Sequence, residues 1–391
     1  MKVVLRRSIA LTLAAILLAS LFAVPVAMAA PAKKIKTVSV DGIKVTADVV
    51  PTAKGKTAMV SLKTIERALG AKTTYKSKKA TIKTTLNTVV FTLGKKTCTV
   101  NGKSVKVSQA PVLVKKKIMV PADTLMKALG GSAKISGTAL NLTYFGTIKG
   151  GLKVHGSSTL YPIAQAASTK INKMKGASGV AVTQLDSGDG IKQTIAGTVN
   201  LGMASRELKT DGSESGLTTY AVAKDGIAII VNPKNNVSAL SKQQAVDIFM
   251  GKITDWSQVG GAPGAITVFT REAQSGTLGT VVDLLLGKGN SIKSGATVKN
   301  SSGLMKDAVA KNANGIGFDS IGFVDKSVKA VKLDGVAPSA ATVKSGKYLM
   351  GRSLYIVSKG QPVPNGAKFI DFLKSDFAQK IIVQKLGYIV L

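Results

Sequence analysis

The strongest constraint on this chain is a repeat that returns after 60 residues. Met59-Val60-Ser61-Leu62-Lys63-Thr64-Ile65-Glu66-Arg67-Ala68-Leu69-Gly70 recurs as Met119-Val120-Pro121-Ala122-Asp123-Thr124-Leu125-Met126-Lys127-Ala128-Leu129-Gly130, and a fixed-period self-match marks a duplicated structural unit. Upstream, Val40-Asp41-Gly42 matches Val100-Asn101-Gly102 in the same register. Asp-Gly and Asn-Gly between β-rich runs predict tight hairpins, because both residues tolerate positive φ. Each unit therefore reads as a hairpin, a short helix from about Leu62 or Ala122 ended by Gly70 or Gly130, and following strands such as Lys79 to Thr84. Two copies predict one small α+β repeat domain over residues 31–147.

On its twin "MV[SP]xxT…ALG" and "V[DN]G" elements, this segment resembles the domain named after the N-terminal region of copper amine oxidases. The name implies no copper here, because an oxidase holds its metal with a histidine cluster and residues 31–147 contain no histidine. The segment reads as a binding or spacer module.

Residues 1–30 have the three parts of a secretory signal: Lys2, Arg6 and Arg7, a mainly apolar run from Ile9 to Val24, then Ala27-Met28-Ala29. The run is shorter than the roughly 20 residues of a spanning helix, so cleavage near Ala29–Ala30 and a secreted protein on the extracellular face of the envelope are expected. The one cysteine, Cys98, permits no internal disulfide and reads as a small buried residue. The one histidine, His155, removes most zinc and copper chemistry and the usual nucleophilic triads. No catalytic residue, metal site or cofactor is expected.

The net charge is +34. Residues 31–147 hold 22 basic and 4 acidic residues, net +18, and residues 148–391 hold 29 and 16, net +13. Such a field suits either a solvated basic surface or anionic cell-wall polymers. Export argues against nucleic acid as a partner.

After a linker expected at Tyr144 to Gly151, strands alternate with helices, the signature of an α/β domain over residues 148–391. Leu152 to His155, Gly179 to Gln184 and Gly226 to Val231 read as strands. Pro162 to Lys173, Ile191 to Ala196, Ser241 to Phe249 and Leu278 to Leu286 read as helices. Three Gly/Ser-rich turns precede helices: Gly156-Ser157-Ser158-Thr159-Leu160, Ser187-Gly188-Asp189-Gly190, and Ser275-Gly276-Thr277 with Arg271 before it. Unpaired N–H groups at helix starts bind oxyanions, although serine and glycine also cap helices for purely structural reasons. Arg271 and Arg206 favour the anion reading.

On "GSSTLYP" at 156–162, "SGDGIKQTIAGTVNLGMASREL" at 187–208, "IFMGKITDWSQVGG" at 248–261, "TREAQSGT" at 270–277 and "GIGFDSIGF" at 315–323, the second domain resembles the PstS-type phosphate-binding proteins of ABC transporters. The resemblance implies a two-lobed type II periplasmic-binding-protein fold, with chain crossings near Val231 to Pro233 and Leu354 to Val357. It implies ligand contacts from Ser158, Thr159, the Leu160 N–H, Ser187, Arg271, Ser275, Gly276 and Thr277. The implied function is capture of inorganic phosphate, or a similar oxyanion, for an ABC permease. The alternative is a cell-envelope adhesion or sensing protein led by its basic front domain.

In the best-known members of that family an aspartate follows the serine of the second strand's Ala-Ser motif and accepts the phosphate proton. Here the position is Arg206, a donor only. An acceptor must come from elsewhere, and Asp189 is the nearest in sequence; it also suits a helix start as a dipole partner. His155 and Trp256 read as structural residues, and Asp255 and Glu272 show no reason to converge as a carboxylate pair.

Overall fold

The computed structural model describes residues 32–287 and 289–391; the signal expected at 1–30 lies outside them. In the front domain, strands β1 (Thr37–Val40) and β2 (Ile43–Val45) form the first hairpin, and β4 (Thr97–Val100) and β5 (Lys103–Lys106) the second. Asp41 and Asn101 lie at φ 48° and 49° in their turns, as the Asp-Gly and Asn-Gly pairs require.

The repeated segment of each unit is a strand that runs straight into a helix. β3 (Thr57–Ser61) leads into α1 (Leu62–Leu69), and β6 (Lys117–Pro121) into α2 (Ala122–Ala128). Ser61 caps α1 by accepting the Thr64 N–H; Pro121, at the same position, supplies no side-chain cap to α2. β3 and β6 pair antiparallel with Val60 opposite Val120, so the two repeats meet at equivalent residues and share one sheet.

The second domain is built on a ten-stranded sheet. Its first lobe holds β7 (Leu152–Ser157), α3 (Tyr161–Asn172), β8 (Val180–Leu185), α4 (Ser187–Ala196) and β9 (Leu201–Ala204). Two long strands follow the chain between lobes: β10 (Leu217–Val231) and β14 (Gly351–Lys359). The second lobe holds β11 (Thr267–Arg271), α5 (Gly276–Val281), β12 (Thr297–Lys299), α6 (Ser302–Lys311) and β13 (Gly315–Ser320). The main path of the sheet is β8-β7-β9-β14-β10-β13-β11-β12.

The crossings differ from expectation. Ile227 to Val231 already pair with β13 in the second lobe, so the first crossing lies before them, beside the irregularity between Ala221 and Ala223. The second lies at Gly351 to Leu354, since Tyr355 to Val357 already pair with β9. A strand's hydrophobic run does not reveal where it changes neighbours; its pairing partners do.

The linker expected at Tyr144 to Gly151 is a packed joint. Tyr144 and Phe145 are buried, and both their N–H groups donate to Asp41. Phe145 meets Phe372 of α7 (Pro364–Lys374) edge-on at 5.1 Å. One apolar core runs continuously from Val60, Ile65, Val120 and Leu125 of the front domain through Tyr144 and Phe145 to Val154, Met203 and Phe372 of the first lobe. The second lobe has its own core around Phe249, Trp256 and Phe318. Among the described residues no helix is long and apolar enough to cross a membrane.

Candidate functional site

The site lies where strand ends and helix starts of the two lobes face each other. From the first lobe come Ser158 and Thr159, in the turn between β7 and α3, and Ser187, the first residue of α4. From the second come Arg271, at the end of β11, and Ser275-Gly276-Thr277 at the start of α5. All seven are buried.

The lobes touch through these residues. Arg271 Nη2 donates to Ser158 Oγ at 3.3 Å and to Asp186 Oδ1 at 2.9 Å. The Thr159 and Thr277 hydroxyls lie 3.1 Å apart, and the Gly188 N–H donates to the Gln274 carbonyl at 3.0 Å. Ser187 Oγ accepts the Ser205 N–H at 3.1 Å. Gly276 sits against this point, where an added Cβ would lie 2.4 Å from Ser187 Oγ and 2.7 Å from Ser205 Oγ. Only a residue without a side chain permits that approach. The arrangement is a closed cleft.

Some expected residues take other roles. The Leu160 N–H, expected at the anion, closes back on the Ser157 carbonyl at 3.1 Å, which completes the turn into α3. The Ser158 and Thr159 N–H groups take no protein acceptor among the described residues. Ser275 caps α5 by accepting the Leu278 N–H. Ser187-Gly188-Asp189-Gly190, expected as a turn before the helix, is instead the first turn of α4 itself, with Asp186 as the residue before it.

Arg206 is drawn away from the anion role. Its guanidinium grips Glu214 with both terminal nitrogens, at 2.9 and 2.6 Å, so its charge is answered there. Asp189 makes no side-chain hydrogen bond among the described residues, and its charge bears on Asp186 beside it. His155 is bonded to Gln193 at 2.8 Å and Trp256 Nε1 to the Asn314 carbonyl at 3.1 Å, both structural. Asp255 caps its own turn, far from pairing with Glu272.

Glu272 does converge with a carboxylate, Asp186, and the two hold Arg271 between them. Arg271 reaches Glu272 at 2.5 Å and Asp186 at 2.9 Å. Burial and the hydrogen bond to Glu272 push the Asp186 carboxyl up to about 8. Glu272 is held low, because hydrogen bonds from Asp186 and Arg271 outweigh its own burial. The two carboxyls therefore crowd one guanidinium, and Asp186 is the one that holds its proton more tightly. Arg271 also donates through Nε to the Lys299 carbonyl at 2.8 Å. Its Nη1 takes no protein acceptor among the described residues, leaving two N–H donors for a ligand.

The sequence reading missed Arg352, Ser302 and Asp319. Arg352, at the start of β14, donates to Thr277 Oγ1 at 3.0 Å, to Thr159 Oγ1 at 3.4 Å and to the Ser205 carbonyl at 2.9 Å. Its charge is matched by Asp225, at 2.9 Å from Nε and 2.8 Å from Nη2. The Ser302 N–H, at the start of α6, donates to Ser158 Oγ, and its hydroxyl lies 3.3 Å from Thr159 Oγ1. Two signals were present. Arg206, Arg271 and Arg352 are the only arginines of residues 148–391, where lysine otherwise carries the positive charge, and Asp319 is an acid inside the apolar run GIGFDSIGF.

A mixed sheet shared by two lobes, two strands crossing between them, and hydroxyls with an arginine at opposed helix starts define a two-lobed binding protein of the type II periplasmic kind. Residues 131–376 match the PBP superfamily domain, and residues 39–143 the copper amine oxidase N-terminal domain. The chain is 33% identical over 243 residues to the phosphate-binding protein PstS of Bacillus subtilis, covering 61% of this chain and 80% of that protein. A Clostridium perfringens structure assigned to phosphate ABC transport and solved with bound phosphate matches with TM-score 0.59 and 34% identity, covering 61% of this chain and 99% of that one. An ABC-type phosphate transport receptor from Vibrio cholerae matches with TM-score 0.53 and 35% identity, covering 62% of this chain and all of that one. The chain belongs to the PBP superfamily and, within it, to the PstS family.

Proposed function

We propose that this protein captures inorganic phosphate in the cleft between its lobes and presents it to an ABC permease on the outer face of the cell. The observation that carries the reading is the Arg271 guanidinium, at the lobe boundary with Nη1 unpaired among the described residues and bonded to Ser158, in a cleft that also holds the paired Thr159 and Thr277 hydroxyls and Ser187. These groups donate hydrogen bonds to a compact tetrahedral oxyanion without offering it a nucleophile. Related structures are described as phosphate transport proteins, one with phosphate bound. Ser158 and Ser187 hold the anion from the first lobe, and Arg271, Gly276 and Thr277 from the second, so binding and closure are one event that a permease reads. Arg352 orients the Thr159 and Thr277 hydroxyls.

Calorimetric titration of the full chain with phosphate tests this. The parent is expected to bind tightly. Arg271→Ala is expected to lose at least about tenfold in affinity, the share of a charged hydrogen bond worth roughly 1.5–3 kcal/mol. A parent that ignores phosphate, or an Arg271→Ala variant that binds it equally well, defeats the reading.

A further inference from the structure

Asp319 stands at the end of β13, 1% exposed. Its Oδ1 accepts the Ser320 N–H at 2.8 Å. Its Oδ2 is the single side-chain polar atom among the described residues that is wholly shut off from solvent and has no hydrogen-bond partner, whereas Arg271 Nη1 keeps some exposure. Buried polar atoms are ordinarily paired, because an orphan forfeits its hydration without compensation. The surroundings place this orphan in the cleft. Gly317, two residues earlier on the same face of β13, packs on Met305 of α6, which sets Asp319 beside the start of that helix. There Ser302 lies next to the carboxyl and joins it to Ser158 and Thr159.

We propose that Asp319 is the hydrogen-bond acceptor that selects a protonated anion, replacing from the second lobe the acceptor that Arg206 cannot supply from the first. The inference rests on the phosphate reading above. An ionised Oδ2 accepts the proton that phosphate carries. Sulfate has none to offer, and its oxygen meets the carboxylate lone pair to lone pair. A buried polar group left unpaired is what rejects a near-isosteric analogue.

The groups facing Asp319 fix when it is ionised. Burial pushes its carboxyl up to about 7, and Ser302, the Ser320 N–H and the charges of Arg271 and Arg352 restrain the rise. Arg352 is shared with Asp225, Arg271 with Asp186 and Glu272, and the Tyr388 hydroxyl nearby is driven upward and stays neutral. Above pH 7 Asp319 is an acceptor and excludes sulfate. Below it the protonated carboxyl becomes a donor, and sulfate is admitted.

The test is competitive titration of the full chain with phosphate, arsenate and sulfate at pH 8 and pH 5.5. At pH 8 the parent is expected to prefer phosphate and arsenate, which both carry a proton, over sulfate by at least about 100-fold. Asp319→Asn, whose amide can donate, is expected to narrow that gap at least tenfold, mainly by gaining sulfate. Sulfate affinity of the parent is expected to rise at least tenfold on going to pH 5.5, and that rise to shrink in Asp319→Asn; Asp186, which also titrates, is present in both proteins. Should Asp319→Asn not fold, Asp319→Ser takes its place in the same comparison. A flat sulfate response, or an Asp319→Asn protein with an unchanged ratio, overturns the assignment while tight phosphate binding leaves the capture function standing. Absent phosphate binding would instead remove the reading beneath it.

Discussion

The cleft's two arginines are each compensated by carboxylates of the chain itself: Arg352 by Asp225, and Arg271 by Asp186 and Glu272. The site therefore does not bind an anion by surplus local charge. On the proposed reading, oriented hydroxyl and N–H dipoles hold it, with Arg271 Nη1 as the strongest donor. One consequence is visible in stability. Asp186 and Asp319 keep their protons to about pH 8 and 7, whereas an unfolded aspartate loses its proton near pH 4. Between those limits the folded chain binds more protons than the unfolded one, so its stability falls as pH rises from about 4 towards 8. Asp48, held down at about 2 by Lys117, Ser61 and Thr64 against its burial, acts below that window. Calorimetric melting without phosphate is expected to give a higher Tm at pH 5.5 than at pH 8, with a shallower slope in Asp319→Asn. A slope equal in both would mean that Asp319 is already ionised in the folded protein.

Among the elements, closure depends on how near the start of α5 comes to the start of α4. Gly276 is the contact point, and Gly276→Ala would place a methyl carbon 2.4 Å from Ser187 Oγ. The Ser205 hydroxyl at 2.7 Å and Ser187 Cβ at 3.0 Å crowd the same point, so turning the Ser187 hydroxyl alone does not make room. The variant is expected to hold the lobes apart and to weaken phosphate binding at least about tenfold while the Tm of the unliganded protein changes little. Small-angle scattering with saturating phosphate checks it, through a larger radius of gyration than the closed parent; an equally compact variant counts against the closure model.

The sequence carried these elements unevenly. The hairpin turns at Asp41 and Asn101 and the Ser/Gly helix starts at 156–160 and 275–277 were legible because local chemistry dictates them. The start of α4 was misread because serine and glycine are poor helix formers, yet Ser187, Gly188 and Asp189 sit in a first turn whose N–H groups need no intrahelical partner, the first such bond running from the Gly190 N–H to the Asp186 carbonyl. Arg206 fits the anion pattern in sequence, but Glu214, eight residues on, claims it in space. Asp319 and Arg352 escaped because they belong to strands whose neighbours are set by the two-lobed topology, not by adjacent residues.

On the scale of the molecule, the front domain is no detachable spacer. Its core is continuous with that of the first lobe, and α7 is clamped from its side. Tyr144 Oη donates to Asp371 Oδ2 at 2.8 Å, the Thr85 N–H to Oδ1 at 2.9 Å, and Lys368 Nζ to the Gly130 carbonyl at 3.1 Å. At Gly70 the end of α1 comes so close to the backbone of Asp371 that an added Cβ would lie 2.3 Å from its carbonyl oxygen. Removing residues 32–147 would uncover Phe372 and strip Asp371 of its partners. The loss of one such aromatic's cover is worth about 1.5–3 kcal/mol, and each kcal/mol shifts the Tm of a domain this size by about 2–4 °C. A chain starting at residue 148 is therefore expected to melt about 3–12 °C below the full protein. The cleft residues all lie beyond residue 148, so where the shortened chain is folded its phosphate affinity is expected to stay within about threefold, less than one hydrogen bond's worth. Melting followed by titration of both chains separates the two quantities. An unchanged Tm would mean that the continuous core adds nothing to stability and that the front domain is a passenger; a lower Tm with intact affinity would make it a brace for the first lobe, on which the second closes.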